Sequence, residues 1–209
     1  ICHGMPPATY LEQHIKSIEG KKKEHTCQLF FRDPKYYTYT FTLKNNNGKE
    51  FYNKKVLTRD NYQLGYHRAL IYRENCYSCN YAREERISDL TIGDFSGLGR
   101  FAPFEYDKHN VSCILENTDK GSALLKKLNG ALSMFERPAC EAFEVEKQLK
   151  SPSVKHSKRS IFEKVYRKTR NYELASNIAL KEEKKAVKTA IILKIKVFLY
   201  NILVMLHIK

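Results

Sequence analysis

An alternation of aromatic and β-branched residues running into an Asn-Gly turn leaves one part of this chain little conformational choice. Residues 37–43 alternate Tyr and Phe with Thr, the polar run Asn45-Asn46-Asn47-Gly48 follows, and a second extended segment starts at Glu50-Phe51-Tyr52. Alternation gives a strand one set of side chains per face, and Asn-Gly supplies the backbone that a tight reversal needs, so the segment predicts a β-hairpin. Tyr37, Tyr39 and Phe41 then form one packed face of a sheet rather than a stacking platform for bases. Thr26-Cys27-Gln28-Leu29-Phe30-Phe31 reads as a further strand.

Helical spacing flanks these strands. Tyr10, Leu11, His14, Ile15 and Ile18 share one face of a helix over 8–18, and Pro6 and Pro7 suit its start, where a missing N–H costs nothing. Residues 60–72 predict a short helix, 88–97 a strand ending in a Gly-Asp turn, 111–115 a strand, 120–128 a helix and 131–135 another strand. Strands and helices intersperse without a regular βαβ repeat, which predicts an α+β fold: a mixed sheet with a β-hairpin and flanking helices, followed by a basic helical C-terminal extension.

The boundary of that extension shows in the charge. Of 37 Lys and Arg and 23 Asp and Glu in the 209 residues, residues 151–209 hold 14 and 4, a net of +10, leaving +4 for residues 1–150. With the change of composition near Lys150-Ser151-Pro152-Ser153, this predicts a core over 1–150 and a Lys-rich helical tail over 151–209. A composition 42 % hydrophobic and 29 % charged belongs to a folding chain rather than a disordered one. The first residue is Ile1, and Ile1-Cys2-His3-Gly4 reads as the end of a buried strand entering a turn, so the chain is expected to be a fragment. Its last segment, 190–208, is almost wholly apolar apart from Lys194, Lys196, Asn201 and His207. That segment suits an interfacial helix docking on a membrane surface, a helix packed on a partner, or a span, although the lysines oppose a span. Nucleic acid is the least supported partner, because the basic run merges into this apolar helix and no DNA- or RNA-binding motif is present.

The chemistry resides in the cysteines. Cys76 and Cys79 are too close in sequence for a useful structural disulfide, whereas Cys-x-x-Cys lets two thiolates converge on a metal or cluster, or forms a redox pair. The polar sequence that follows, Asn80 to Arg86, lacks the strand-then-helix context of a thioredoxin motif. Cys113 and Cys140 read as buried small hydrophobes and Cys27 as a strand residue. Cys2 precedes His3-Gly4 at a turn that can present a thiolate. No Gly-x-Ser-x-Gly elbow accompanies Ser88, Ser96 or Ser122, and no Gly-x-Gly-x-x-Gly fingerprint follows a strand, which argues against a hydrolase and a dinucleotide fold.

Five motifs in order, Cys2-His3-Gly4-Met5-Pro6, Phe31-Arg32-Asp33, Cys76-Tyr77-Ser78-Cys79, Asp89-Leu90-Thr91-Ile92-Gly93-Asp94-Phe95 and Asn117-Thr118-Asp119-Lys120-Gly121, resemble the C-terminal domain of the coenzyme F420 hydrogenase/dehydrogenase beta-subunit family over about residues 1–125. The resemblance implies part of an iron–sulfur flavoprotein oxidoreductase that moves electrons between a 4Fe-4S cluster, FAD and coenzyme F420 or another acceptor, with bacterial relatives among polysaccharide-synthesis proteins. It implies metal ligands at Cys2, Cys76 and Cys79, with a fourth in an upstream ferredoxin-like region or, less favoured, at Cys27. It also implies cofactor contacts at His3, Gly4, Asp89, Gly93, Asp94 and Gly97. Ser96 stands where the family usually has an aromatic, which puts an aromatic contact there in doubt. The implied partners are other redox subunits or that N-terminal region, and the implied location is the cytoplasm, with membrane association left open by residues 190–208. The residues taken alone leave alternatives: Asp94 as a turn cap, Lys120 and Gly121 as a plain helix start, His3 as a structural histidine, and the whole as a non-enzymatic, metal-stabilised module that docks through its basic tail.

Overall fold

The computed structural model describes residues 1–33, 35–36, 39–55, 60–107, 111–128 and 130–205. Tyr37, at the start of the expected hairpin face, lies outside them. The fold is α+β, with seven α-helices and five strands among the described residues. The strands divide between two small antiparallel sheets instead of joining one mixed sheet. Two compact units result, one of residues 1–5 and 72–154, the other of 6–71 and 155–209. The change of composition seen near residue 150 falls where the chain passes from the first unit back into the second.

In the second unit, α1 (Ala8–Lys22) turns Tyr10, His14 and Ile18 inward at four-residue spacing. The hairpin is β2 (Thr40–Lys44) against β3 (Glu50–Lys55), with β1 (Gln28–Phe30) on the other edge of β2. Its loop is organised by Asn45, whose Oδ1 accepts the amides of Asn47 and Lys49, both at 3.1 Å, while Gly48 takes φ +72°. The central strand is buried from Thr40 to Leu43. The helix expected over 60–72 is shorter, α2 (Asn61–His67), capped by Asp60 accepting the Gln63 amide at 2.8 Å.

Helices α5 (Arg159–Thr169) and α6 (Tyr172–Ala179) supply much of this core. Phe162, Tyr172, Ala175 and Leu180 are fully buried with Phe41, Leu43, Leu64, Leu70 and Ile71. Tyr10 meets Phe162 edge-on at 5.4 Å and stacks near Tyr172 at 5.3 Å. The Arg159 guanidinium, itself buried, donates to the Leu70 carbonyl at 2.5 Å and pairs with Glu163 at 2.9 Å. Helix α7 (Lys181–Met205) follows, and no helix among the described residues is long and apolar enough to cross a membrane.

A buried polar network lies at the centre of this unit. His14 Nε2 is 2.8 Å from Asp60 Oδ2 and Nδ1 is 2.5 Å from Glu173 Oε1. Asp60 also accepts from the Tyr52 hydroxyl at 2.6 Å, and Glu173 from Asn61 Nδ2 at 2.5 Å. Burial by itself lowers the His14 pKa, but the hydrogen bonds and charges of Asp60 and Glu173 outweigh it and push it up to about 9. The imidazolium therefore joins α1, the cap of α2 and the start of α6 by charge-assisted hydrogen bonds.

The first unit has a smaller core of Cys113, Ala142 and Leu149, with Ile1, Phe95, Leu115 and Phe143 packed on it. Here β4 (Leu90–Asp94) pairs with β5 (Ser112–Glu116), and α3 (Asp119–Lys127) is capped by Thr118, whose Oγ1 accepts the Gly121 amide at 3.2 Å. The strand expected over 131–135 is absent: Leu132, Met134 and Phe135 are exposed on a loop tied back by Arg137, which donates to the Ala102 and Pro103 carbonyls. Arg137 also forks onto Glu141, at 2.8 and 2.9 Å, and Glu141 accepts the amides of Gly99, Phe101 and Ala102. The Arg137 fork holds the Glu141 carboxyl well below the usual range. Cys140 is exposed, not buried, because the one-turn α4 (Cys140–Phe143) turns Glu141 and Ala142 inward instead.

Two outcomes follow from these contacts. A Cβ on Gly97 would lie 1.8 Å from the Glu141 carbonyl oxygen, a backbone atom that no rotamer change can move, so G97A costs about 3 kcal/mol in chemical denaturation. For His14, the folded pKa lies above the unfolded value of 6.5, so the stabilisation is complete below pH 6.5 and is lost as pH rises through about 9. Denaturation at pH 6 and pH 10 should differ by about 3 kcal/mol from this group, and the difference should shrink in E173Q.

Candidate functional site

The first unit brings the Cys-His-Gly turn onto the Cys-x-x-Cys loop. Residues Glu74–Ser78 form a 3₁₀ turn that opens with the Cys76 amide on the Arg73 carbonyl at 3.0 Å. Met5 bridges the two segments: its carbonyl accepts the Arg73 amide at 2.9 Å, and its own amide donates to Cys76 Sγ at 3.4 Å.

Gly4 makes this approach feasible. It has φ +146°, and a Cβ there would lie 2.3 Å from the Tyr72 ring. The Tyr72 amide in turn donates to the Tyr77 hydroxyl, at 3.2 Å, inside the Cys-x-x-Cys motif. On the other side of the turn, the His3 carbonyl accepts from Ser153 Oγ at 2.5 Å and His3 Nε2 is 3.8 Å from Glu146. His3 is half-exposed and Glu146 buried, so the histidine lies at the edge of the site with a structural partner.

The cysteines separate by exposure. Cys2 is exposed, Cys76 and Cys79 are partly buried, and all six cysteines are free thiols. Cys113 is buried, as expected, and burial raises its pKa. Cys27 is exposed next to β1 in the other unit. Among the described residues, no group of three or more His, Cys, Asp or Glu side chains is gathered as around a single metal ion.

The aspartate and glycine motif serves packing within the first unit. Gly93 lies in β4 against the Ile1 side chain, 2.7 Å from where its Cβ would be, and Gly97 lies against the α4 backbone. Asp89 accepts from Thr118 Oγ1 at 2.7 Å and pairs with Lys120 at 3.4 Å, contacts that lower its pKa, the Thr118 hydrogen bond first. A Cβ on Gly121 would stand 2.2 Å from the Asp89 carbonyl, so the Asn-Thr-Asp-Lys-Gly segment locks the start of α3 to the start of β4. Asp94 is exposed at the end of β4, opposite Ser112. The space beside Gly4, Gly93 and Gly97 is thus filled by the chain's own atoms.

A comparison with family models covers all five motifs. The model for the C-terminal region of the coenzyme F420 hydrogenase/dehydrogenase beta subunit matches residues 1–139. The chain belongs to this family. Neither the curated proteins nor the solved structures gave a match. Membership makes the matched region a domain of a redox subunit, and a beta subunit implies assembly with others. The match extends past residue 125, where the motif resemblance ended, to include Arg137 but not its partner Glu141 or α5 and α6.

Sequence reasoning did not find the His14 network. Its only signal was a histidine on the apolar face of α1, and the acids that charge it come from distant positions, Asp60 and Glu173. The geometry of the thiols yields a measurable outcome: in the reduced protein, alkylation followed by mass spectrometry should label Cys2, Cys27 and Cys140 fast and Cys113 slowest. In G4A, displacement of the turn should expose the partly buried Cys76 and raise its rate by about tenfold.

Proposed function

We propose that this chain is the C-terminal part of an iron–sulfur flavoprotein oxidoreductase, with Cys2, Cys76 and Cys79 as ligands of a 4Fe-4S cluster. The observation that carries this reading is the Met5 amide donating to Cys76 Sγ at 3.4 Å, since it seats the turn bearing Cys2 on the loop bearing the other two thiols. Hydrogen bonds to ligand sulfur are one of the means by which a protein tunes such a centre. The donor type fits: Cys2, exposed, and Cys76 and Cys79, partly buried, are free thiols of one unit. These are one short of the usual four thiolates, so the remaining ligand comes from elsewhere, another segment or another subunit. Bound there, the cluster would supply single-electron storage between a donor and an acceptor.

FAD and coenzyme F420 enter this reading through the family. Of the six residues assigned to cofactor contact, His3, Asp89 and Asp94 have side chains that reach the surface, and of these His3 and Asp94 are the proposed flavin-facing positions. Gly4, Gly93 and Gly97 act at one remove, by letting Tyr72, Ile1 and the α4 backbone close around the turns. Asp89 orients the start of α3. Other redox subunits are the proposed partners, and a role linked to polysaccharide synthesis is the further possibility raised by the bacterial relatives.

The test is an anaerobic visible spectrum, with iron, sulfide, zinc and flavin analysis, of the full-length protein carrying this segment. A band near roughly 400 nm that bleaches with dithionite and falls at least about fivefold in C76A and C79A is the expected result. Stoichiometric zinc without iron, or a spectrum unchanged in both variants, overturns the assignment.

A further inference from the structure

The first turn of α7 is well held: His156 Nε2 is 3.0 Å from Glu183, and Lys184 Nζ donates to both Asn61 and Asn177. Beyond it the helix changes character. Ile191, Ile192, Leu193, Ile195, Val197 and Phe198 are each between 44 % and 64 % exposed. Successive residues turn by about 100°, so these six are spread around the whole circumference, interrupted only by Lys194 on one side and Lys196 on the other.

A helix with one apolar stripe is completed by a groove or by lying flat on a membrane. A helix apolar on every side needs an apolar medium on every side, which a single groove does not give. The charge identifies the medium. Lys181, Lys185 and Lys188 are exposed in the half of α7 that precedes the apolar run, in a region whose net charge is +10. Basic residues beside an apolar helix are attracted to anionic headgroups.

We infer that α7 anchors this chain in an anionic lipid bilayer, with residues 190–202 among the acyl chains and Lys181, Lys185 and Lys188 at the headgroups. Among the described residues no helix is long and apolar enough to cross a membrane, so the proposal is for an embedded anchor. Lys194 and Lys196 lie within about two turns of the charged half, from which their long stems reach back to the interface. The anchor stands apart from the redox reading and does not depend on it.

The chain contains no Trp, so F198W places a single reporter in the apolar run. The full chain is mixed with phosphatidylcholine vesicles and with vesicles containing 30 % phosphatidylglycerol. The expected result is a blue shift of the indole emission with the anionic vesicles, quenched by brominated acyl chains. Co-sedimentation should fall about fivefold for each of K185Q and K188Q. An I195D substitution should abolish co-sedimentation while circular dichroism still shows a folded chain. Three outcomes overturn the proposal: no vesicle binding by the folded chain, equal binding to neutral vesicles, or an emission already blue-shifted without lipid in a species with the mass of a dimer or larger. The last would assign the apolar run to a second copy of the chain.

Discussion

The ion-paired imidazole of His14 is the contact on which the larger unit is assembled. A neutral histidine in that position would leave the buried Asp60 and the partly buried Glu173 carboxylates without a countercharge between them, and removal of either acid would leave the imidazolium with one. Each case strands charge in a region that burial has made poor at solvating it. With all three present, every ring nitrogen and both carboxylates have partners, Tyr52, Asn61 and the Gln63 amide included. The aromatic shell of Tyr10, Phe41, Tyr62 and Tyr172 can then close around the network without an unpaired charge inside it. Because Glu173 and Tyr172 lie beyond the family-matched region, the core of this unit is built from two stretches far apart in sequence.

The smaller unit relies on a different constraint, close backbone approach. Its core is only a few side chains deep, and four glycines let its segments touch where a Cβ would collide: with Tyr72 at Gly4, Ile1 at Gly93, the Glu141 carbonyl at Gly97 and the Asp89 carbonyl at Gly121. The Glu141 carboxylate adds a polar staple, collecting three loop amides and a guanidinium at one buried point. Loops held in this way can carry thiols at the surface without a large core beneath them. That is the arrangement the Met5 amide and Cys76 display, and on the proposed redox reading it keeps the ligands accessible to a second subunit.

Much of this was legible in the sequence because it depends on neighbours along the chain. The hairpin followed from alternation and Asn45 to Gly48, α1 from the spacing of Tyr10, His14 and Ile18, and the helix over 120–128 was read with its start at Lys120 and Gly121, one residue inside the observed α3. The family motifs were visible as strings, and Cys113 as a buried thiol among apolar residues. What escaped was non-local. The exposure of Cys140 depends on Glu141, an acidic residue, being drawn inward by loop amides some 40 positions earlier. The loop over 131–135 has the composition of a strand but is captured by Arg137. The charge state of His14 needs acids 46 and 159 positions away.

The motif glycines show why a matched string is not itself a binding site. In the sequence, Gly93, Asp94 and Gly97 invite a cofactor because glycines permit close approach, and the structure does exhibit close approach at Gly93 and Gly97. The approaching atoms, however, belong to Ile1 and to the backbone of α4. A residue type can thus be required at a position for the shape it gives the chain, while the chemistry is performed by side chains that this shape sets at the surface. On the proposed redox reading those are the thiols on the two segments joined at Met5, and the glycine beside them, Gly4, matters because Tyr72 occupies the space its side chain would take.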